Sequence, residues 1–291
     1  MVKRPEITRD MIQAYDDYTH LTLDRRRFLD RLAVLTGSTA AALAVVPLLE
    51  ASSARAAMIA PDDGRVSATA IEYASTAGPI KGYLVKPAAA ASKLGTVVVV
   101  HENRGLNDHI RDVARRVALE GFIALAPDFL SSLGGTPADE DKARTMFGTL
   151  GAAGVASGIG AVDYLTALPE GNGKAGAVGF CWGGGMVNQI AVNSTKLAAG
   201  SVFYGQPPAA ADVPKIKARM LFNYAGLDDR INAMVPAYEK ELKAAGVAFE
   251  SFIYPNVNHA FHNDTSSARY NKEAAMLAFG RTIALFKATL G

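Results

Sequence analysis

The chain has 291 residues, is 49% hydrophobic and 20% charged, and carries a net charge of +2. That is enough apolar material for one sizeable packed domain, and without a basic tract in the body of the chain nucleic acid is excluded as an expected partner. A single cysteine, Cys181, excludes an intramolecular disulfide, and no Cys/His cluster has zinc-ligand spacing; His101, His109, His259 and His262 fall in two separate loops.

In chain order, the first signal is Asp24-Arg25-Arg26-Arg27-Phe28-Leu29, a twin-arginine pattern. An apolar region follows from Leu32 to Leu49, broken by Gly37 and Pro47, and then Ala54-Arg55-Ala56, an A-x-A-like cleavage site. The apolar run is near the lower limit for a membrane span and rich in Ala, Thr and Ser. Residues 1–56 therefore read as a twin-arginine signal peptide, removed on export, and residues 57–291 as the mature domain. The expected partner is the twin-arginine export machinery, the expected home a bacterial periplasm, with no stable membrane anchoring after cleavage.

The remainder alternates strand and helix signals. Ser67–Ser75 and Ile80–Lys86 predict an antiparallel hairpin around Ala77-Gly78-Pro79. Strands are predicted near Thr96–His101, Phe122–Pro127, Ala175–Phe180, Ala199–Tyr204, Met220–Ala225 and Val247–Tyr254. Arg111–Glu120 and Ala233–Ala245 have helical apolar spacing, and a last helix is expected over about Ala268–Leu290. Ser- and Gly-rich Leu130–Pro137 is expected to be a mobile loop over the site. The pattern is that of a single α/β domain with a mostly parallel twisted sheet and helices on both faces.

Three of these strands end in chemistry. Gly179-Phe180-Cys181-Trp182-Gly183 places the cysteine in a Gly-x-Cys-x-Gly turn between a strand and a helix, the pattern of a nucleophile elbow. Small residues are needed two before and two after, because the backbone is strained and its neighbours pack close. Downstream, Asp228 and Asp229 follow one strand and His259 follows the next, the order in which an α/β hydrolase supplies acid and then base. Cys181, Asp228 and His259 form a candidate triad: His259 exchanges the thiol proton and Asp228 fixes its tautomer. The loop after the β-branched run Thr96–Val100 is His101-Glu102-Asn103-Arg104-Gly105. The backbone N–H groups of Asn103 and Trp182 are the expected oxyanion hole. Glu102 is not needed by a serine-type triad, but suits a thiol whose charge state is set by a carboxylate.

With these residues the chain resembles the dienelactone hydrolase (carboxymethylenebutenolidase) family, a cysteine branch of the α/β hydrolases, from about Ser67 to the C-terminus. The resemblance rests on Glu102 in His-Glu-Asn-Arg-Gly, Ala126-Pro127-Asp128, the Gly-Phe-Cys-Trp-Gly elbow, Asp228 and His259. It implies the α/β-hydrolase fold and a thiol held protonated against Glu102 until substrate turns it towards His259. It favours Asp228 over Asp229. It also implies two arginines for a substrate carboxylate. Arg144 falls near one of these positions. At the other, a few residues past the base, this chain has His262, a poor replacement for a guanidinium. Arg104 is a further substrate-binding candidate or a structural ion-pair partner, and Phe261 and Tyr204 complete the expected substrate-binding set. The implied function is cysteine-dependent hydrolysis of a small ester or lactone without metal or organic cofactor. Two other readings use the same scaffold: a thiol redox protein cycling through sulfenic acid, and a non-hydrolytic ligand-binding protein.

Overall fold

A computed structural model describes residues 7–50, 58–90 and 92–291. Its frame is an eight-stranded sheet of β1 (Val66–Ser75), β2 (Gly78–Pro87), β3 (Leu94–Val100), β4 (Ile123–Pro127), β5 (Gly171–Phe180), β6 (Leu197–Phe203), β7 (Arg219–Ala225) and β8 (Phe249–Tyr254). The order across the sheet is β1-β2-β4-β3-β5-β6-β7-β8. β1 with β2 and β2 with β4 are antiparallel, and every later pair is parallel. The predicted hairpin and all six predicted strands are present, with ends shifted by a few residues at most.

The β-branched run of β3 is central because both its faces are buried. Val98 and Val100 join one core with Leu125, Val202 and Phe222; Val97 and Val99 join the other with Ala124, Val178 and Phe203. The first face is covered by α5 (Glu140–Ala167), α6 (Trp182–Asn193) and α8 (Val235–Ala244), the second by α4 (Asp108–Leu119) and α9 (Lys272–Leu290). This is the α/β-hydrolase arrangement, and it brings the carboxyl ends of β3, β5, β7 and β8 to one edge, where an open α/β sheet binds its ligands.

One feature differs from expectation. The Leu130–Pro137 loop is pinned: the Asp128 carboxylate accepts from Leu130 N at 3.0 Å and from Thr136 N and Oγ1 at 2.8 and 2.7 Å. None of its residues is among those lining the main cavity. At the other end, residues 9–49 form α1 (Arg9–Thr19), α2 (Arg25–Thr36) and α3 (Thr39–Leu49). Thr8, Asp24 and Ser38 each cap one of these helices with a side-chain oxygen, and Gly37 (φ 82°) closes α2 in the left-handed region. α2 and α3 meet at a bend of 109°. Tyr15, Phe28, Leu32, Val45 and Leu49 form a small core of their own. The end of α1 reaches the carboxyl edge of the sheet. The expected cleavage site at Ala54–Ala56 lies outside the described residues.

Candidate active site

β5 ends at Phe180 and α6 begins at Trp182, leaving Cys181 as the one residue of the turn. Its φ of 56° and ψ of −116° are strained for any side chain, a cost of roughly 1–3 kcal/mol that only tight packing sustains. The flanking glycines show why. A Cβ on Gly179 would collide with the Gly183 carbonyl, and one on Gly183 with the carbonyls of His101 and Val100. Only hydrogen fits at either position. The turn therefore holds Cys181 over the sheet edge with the positive end of α6 behind it.

His259, in the loop after β8, donates or shares a proton between Nδ1 and Asp228 Oδ2 at 2.5 Å. Asp228 also accepts from Ile231 N at 3.2 Å as the N-cap of α7 (Asp229–Asn232). Asp229 instead points to solvent, ion-paired with Arg9 at 3.5 Å, so geometry selects Asp228. The Nε2 of His259 has no hydrogen-bond partner among the described residues, and a ring nitrogen of His259 lies within 4.8 Å of Cys181 Sγ. Burial alone would push the thiol up, but the imidazoles of His20 and His259 outweigh it and bring Cys181 down to about 5. Burial likewise opposes the charged form of His259, yet Asp228 and Cys181 raise it to about 10. Asp228 is held below the usual carboxylate range, burial being outweighed by His259.

His20, which the sequence reading did not single out, also reaches the site. It follows α1, and its Nε2 lies 3.3 Å from Cys181 Sγ. A cavity of about 580 Å³ opens here, lined by Thr19, His20, Asn103, Arg144, Cys181, Trp182, Tyr204 and Arg230 among others. Asn103 and Trp182, the expected oxyanion pair, line the same cavity as Cys181. The Trp182 ring stacks on His101 with centroids 5.6 Å apart and packs on Phe147 at 4.5 Å.

The other expected site residues are spread between the cavity and the core. Glu102 is buried and accepts from Asn263 Nδ2 at 2.7 Å. Asn263, next to the position expected to hold the second substrate-binding arginine, thus contacts Glu102. His262 is turned into the core instead, stacked on Phe180 at 4.7 Å, and burial holds it well below the usual imidazole range. His262 is not among the residues lining the cavity. Phe261 is also core, packed under Tyr204 at 5.5 Å and absent from the cavity lining. Arg104 is a structural partner: it pairs with Glu140 at 2.5 Å and bonds the Tyr15 hydroxyl. Arg144 does line the cavity, held by Asp141 and lying 4.0 Å over the Tyr18 ring. A third arginine, Arg269, is buried against Asp16 at 2.9 Å. Among the described residues, donor atoms of His20, Cys181 and His259 all lie within 4.8 Å of one another.

The dienelactone hydrolase family profile matches residues 80–290. The chain belongs to the dienelactone hydrolase family. As a member it is a hydrolase of the ester- and lactone-cleaving class. Among curated relatives, a "Putative carboxymethylenebutenolidase" from Methylorubrum extorquens is 31% identical over 254 residues, covering 81% of this chain and 85% of the relative. A "Putative hydrolase fragment YghX" from Escherichia coli is 52% identical over 107 residues, covering 36% of this chain and 92% of the fragment. A solved structure from metagenomic libraries, titled a dienelactone hydrolase-like promiscuous phosphotriesterase, superposes with a TM-score of 0.69 at 27% identity, over 78% of this chain and 100% of that one.

Proposed function

We propose that this dienelactone hydrolase family member cleaves a small ester or lactone by thiol acyl transfer at Cys181. What supports the reading most directly is the Asp228–His259 pair at 2.5 Å, with the free Nε2 beside a cysteine strained onto a nucleophile elbow. The Cys181 thiolate attacks the substrate carbonyl carbon, and the oxyanion rests on the backbone N–H groups of Asn103 and Trp182, typically worth about 3 kcal/mol per donor. The His259 imidazolium protonates the departing alkoxide, leaving an acyl-thioester. His259 then takes a proton from water, whose oxygen attacks the thioester; the C–S bond breaks and the acid leaves. Asp228 holds the tautomer throughout.

The sign of the pH dependence follows from the two shifts. The thiolate is present above about 5 and lost as pH falls through that value. The imidazolium persists up to about 10 and is lost above it. The expected kcat/KM profile on short-chain aryl esters is therefore a broad bell between those limits. The test is hydrolysis of an aryl-ester and lactone panel before and after iodoacetamide, alongside Cys181→Ala. Loss of activity by at least about 10⁴-fold in both agrees with the proposal; a Cys181→Ala variant that keeps most of its rate refutes it.

We also propose that the protein is exported to a bacterial periplasm by the twin-arginine route. The support is the motif itself, with Arg25, Arg26 and Arg27 all exposed at the start of α2. Mass analysis of the chain recovered from periplasm and cytoplasm, with the arginine pair changed to lysine as control, tests it. Full-length chain confined to the cytoplasm would rule it out.

A further inference from the structure

Two imidazoles meet one sulfur in this site, and they come from opposite ends of the chain. His20 Nδ1 is 2.7 Å from the backbone carbonyl of Asp16. A carbonyl only accepts, so Nδ1 carries a proton and Nε2 is the nitrogen left to face Cys181 Sγ at 3.3 Å. His259 has its Nδ1 engaged by Asp228 and its Nε2 without a partner, with a ring nitrogen within 4.8 Å of the sulfur. The two rings stand edge to face with centroids 4.7 Å apart. Arg230 Nη2 also lies 3.0 Å from His20 Nε2. A guanidinium only donates, so the resting ring is neutral and its one Nε2 lone pair is shared between Arg230 and the thiol.

The placement of His20 is over-determined. Thr19, beside it, accepts from Asn103 Nδ2 at 2.6 Å through its carbonyl. Asp16 holds Arg269 at 2.9 Å, and the Tyr18 hydroxyl donates to Asp141 at 2.6 Å. These ties join α1 to the loop after β3, to the turn before α9 and to the first turn of α5. A ring supported from three sides of a site is a fixed part of it.

We propose that His20 is a second catalytic residue, the base that takes the Cys181 proton, and that the α1–His20 segment is a working wall of the active site in the full chain. The proposal rests on the hydrolase reading and adds to it. The S–H bond breaks, its electron pair stays on sulfur and the proton bonds Nε2 of His20, which gives up its contact with Arg230, while Nδ1–H keeps the Asp16 carbonyl. His259 retains the leaving group and the water. When the thioester breaks, the proton on His20 is again shared with the released thiolate, so the count closes over a turnover. The groups facing this step are His259 with Asp228 behind it, Tyr204 after β6, Arg230 on α7, and Arg144 across the cavity.

The experiment is the pH dependence of iodoacetamide alkylation of Cys181 in the full chain and in His20→Asn. An Asn amide can still donate to the Asp16 carbonyl, but it removes Nε2. The expected result is an alkylation midpoint raised by about one pH unit or more, with about a tenfold slower reaction on the acid limb and a similar alkaline plateau. A changed plateau alone reports access to the sulfur, and an unmoved midpoint overturns the proposal. Trp182, the chain's one tryptophan, lines the same cavity and reports by its emission whether the site is intact. If that emission shifts in His20→Asn, His20→Gln, which also lacks the imidazole, is read instead by the same midpoint, and a wild-type midpoint in it overturns the proposal. Alkylation needs no ester. An inactive hydrolase with a moved midpoint would sink the hydrolase reading alone, whereas an active one with an unmoved midpoint would sink only the role of His20.

Discussion

The elbow and the N-terminal helices both touch the sulfur of Cys181, but they are held there by different physics. The elbow is fixed from below: six of the seven residues of β3 are buried, β5 pairs with it in parallel, and the glycines at 179 and 183 leave no room for a methyl group. The N-terminal segment has its own small core and meets the domain through side-chain hydrogen bonds, ion pairs and cation–π contacts. Polar contacts of this kind are worth about 1–3 kcal/mol each at best once desolvation is counted, and they open far more readily than a close-packed core. One region fixes the nucleophile's backbone; the other reaches in to touch its side chain.

The sharpest way to break that contrast is to damage the domain side. Asp228→Asn leaves the shape of the pair but removes the charge that fixes the His259 tautomer and sustains its imidazolium. Ester turnover should fall by roughly 10³–10⁴-fold, as loss of the acid does in serine triads, and the alkaline limb near 10 should move down. A loss under tenfold would mean that His259 does not depend on Asp228. Next in size is Gly183→Ala. Its methyl would press on the carbonyls of Val100 and His101, and overpacking of this kind costs about 3 kcal/mol. Urea unfolding of the domain should register it. A wild-type midpoint would show that the turn can relax, and that the glycine is not a packing requirement.

The legibility of the sequence follows the same division. β3, β5 and the elbow were readable because local chemistry dictates them: a β-branched run buried on both faces, a glycine on each side of a strained turn, an acid and a histidine after successive strands. Arg144 at the cavity was also readable, through the resemblance. What could not be read depends on contacts between segments distant in sequence. His20 and Cys181 are 161 positions apart, and nothing in Tyr18-Thr19-His20 has the spacing of a motif. The arginine pattern and apolar run beside it carried the stronger signal, and drew attention to the segment's address rather than to its contacts. His262 and Asn263 show a second limit. Adjacent residues after a strand face opposite ways, and sequence alone does not say which one turns to the core; here His262 stacks on Phe180 and Asn263 meets Glu102.

The smallest expected effect is also the one that best separates the two regions. Asp16 lies in α1 and holds the buried guanidinium of Arg269 at 2.9 Å. Removing one partner of a buried pair typically costs 3–5 kcal/mol, and an amide, which still accepts a hydrogen bond, should recover part of that. Asp16→Asn is therefore expected to weaken docking of α1 by about 2 kcal/mol while leaving both sheet cores untouched. Trypsin cleavage at the exposed Arg25–Arg27 should accelerate by roughly 10–30-fold, because cleavage tracks the open population. The unfolding midpoint of the α/β domain should stay near wild type. If domain stability falls in step with cleavage, the helices and the sheet unfold as one unit. If only cleavage changes, the segment opens on its own, and the two proposals become linked: export with removal of residues 1–56 would take His20 from Cys181, so that the processed and full-length chains would differ in the chemistry of the same thiol.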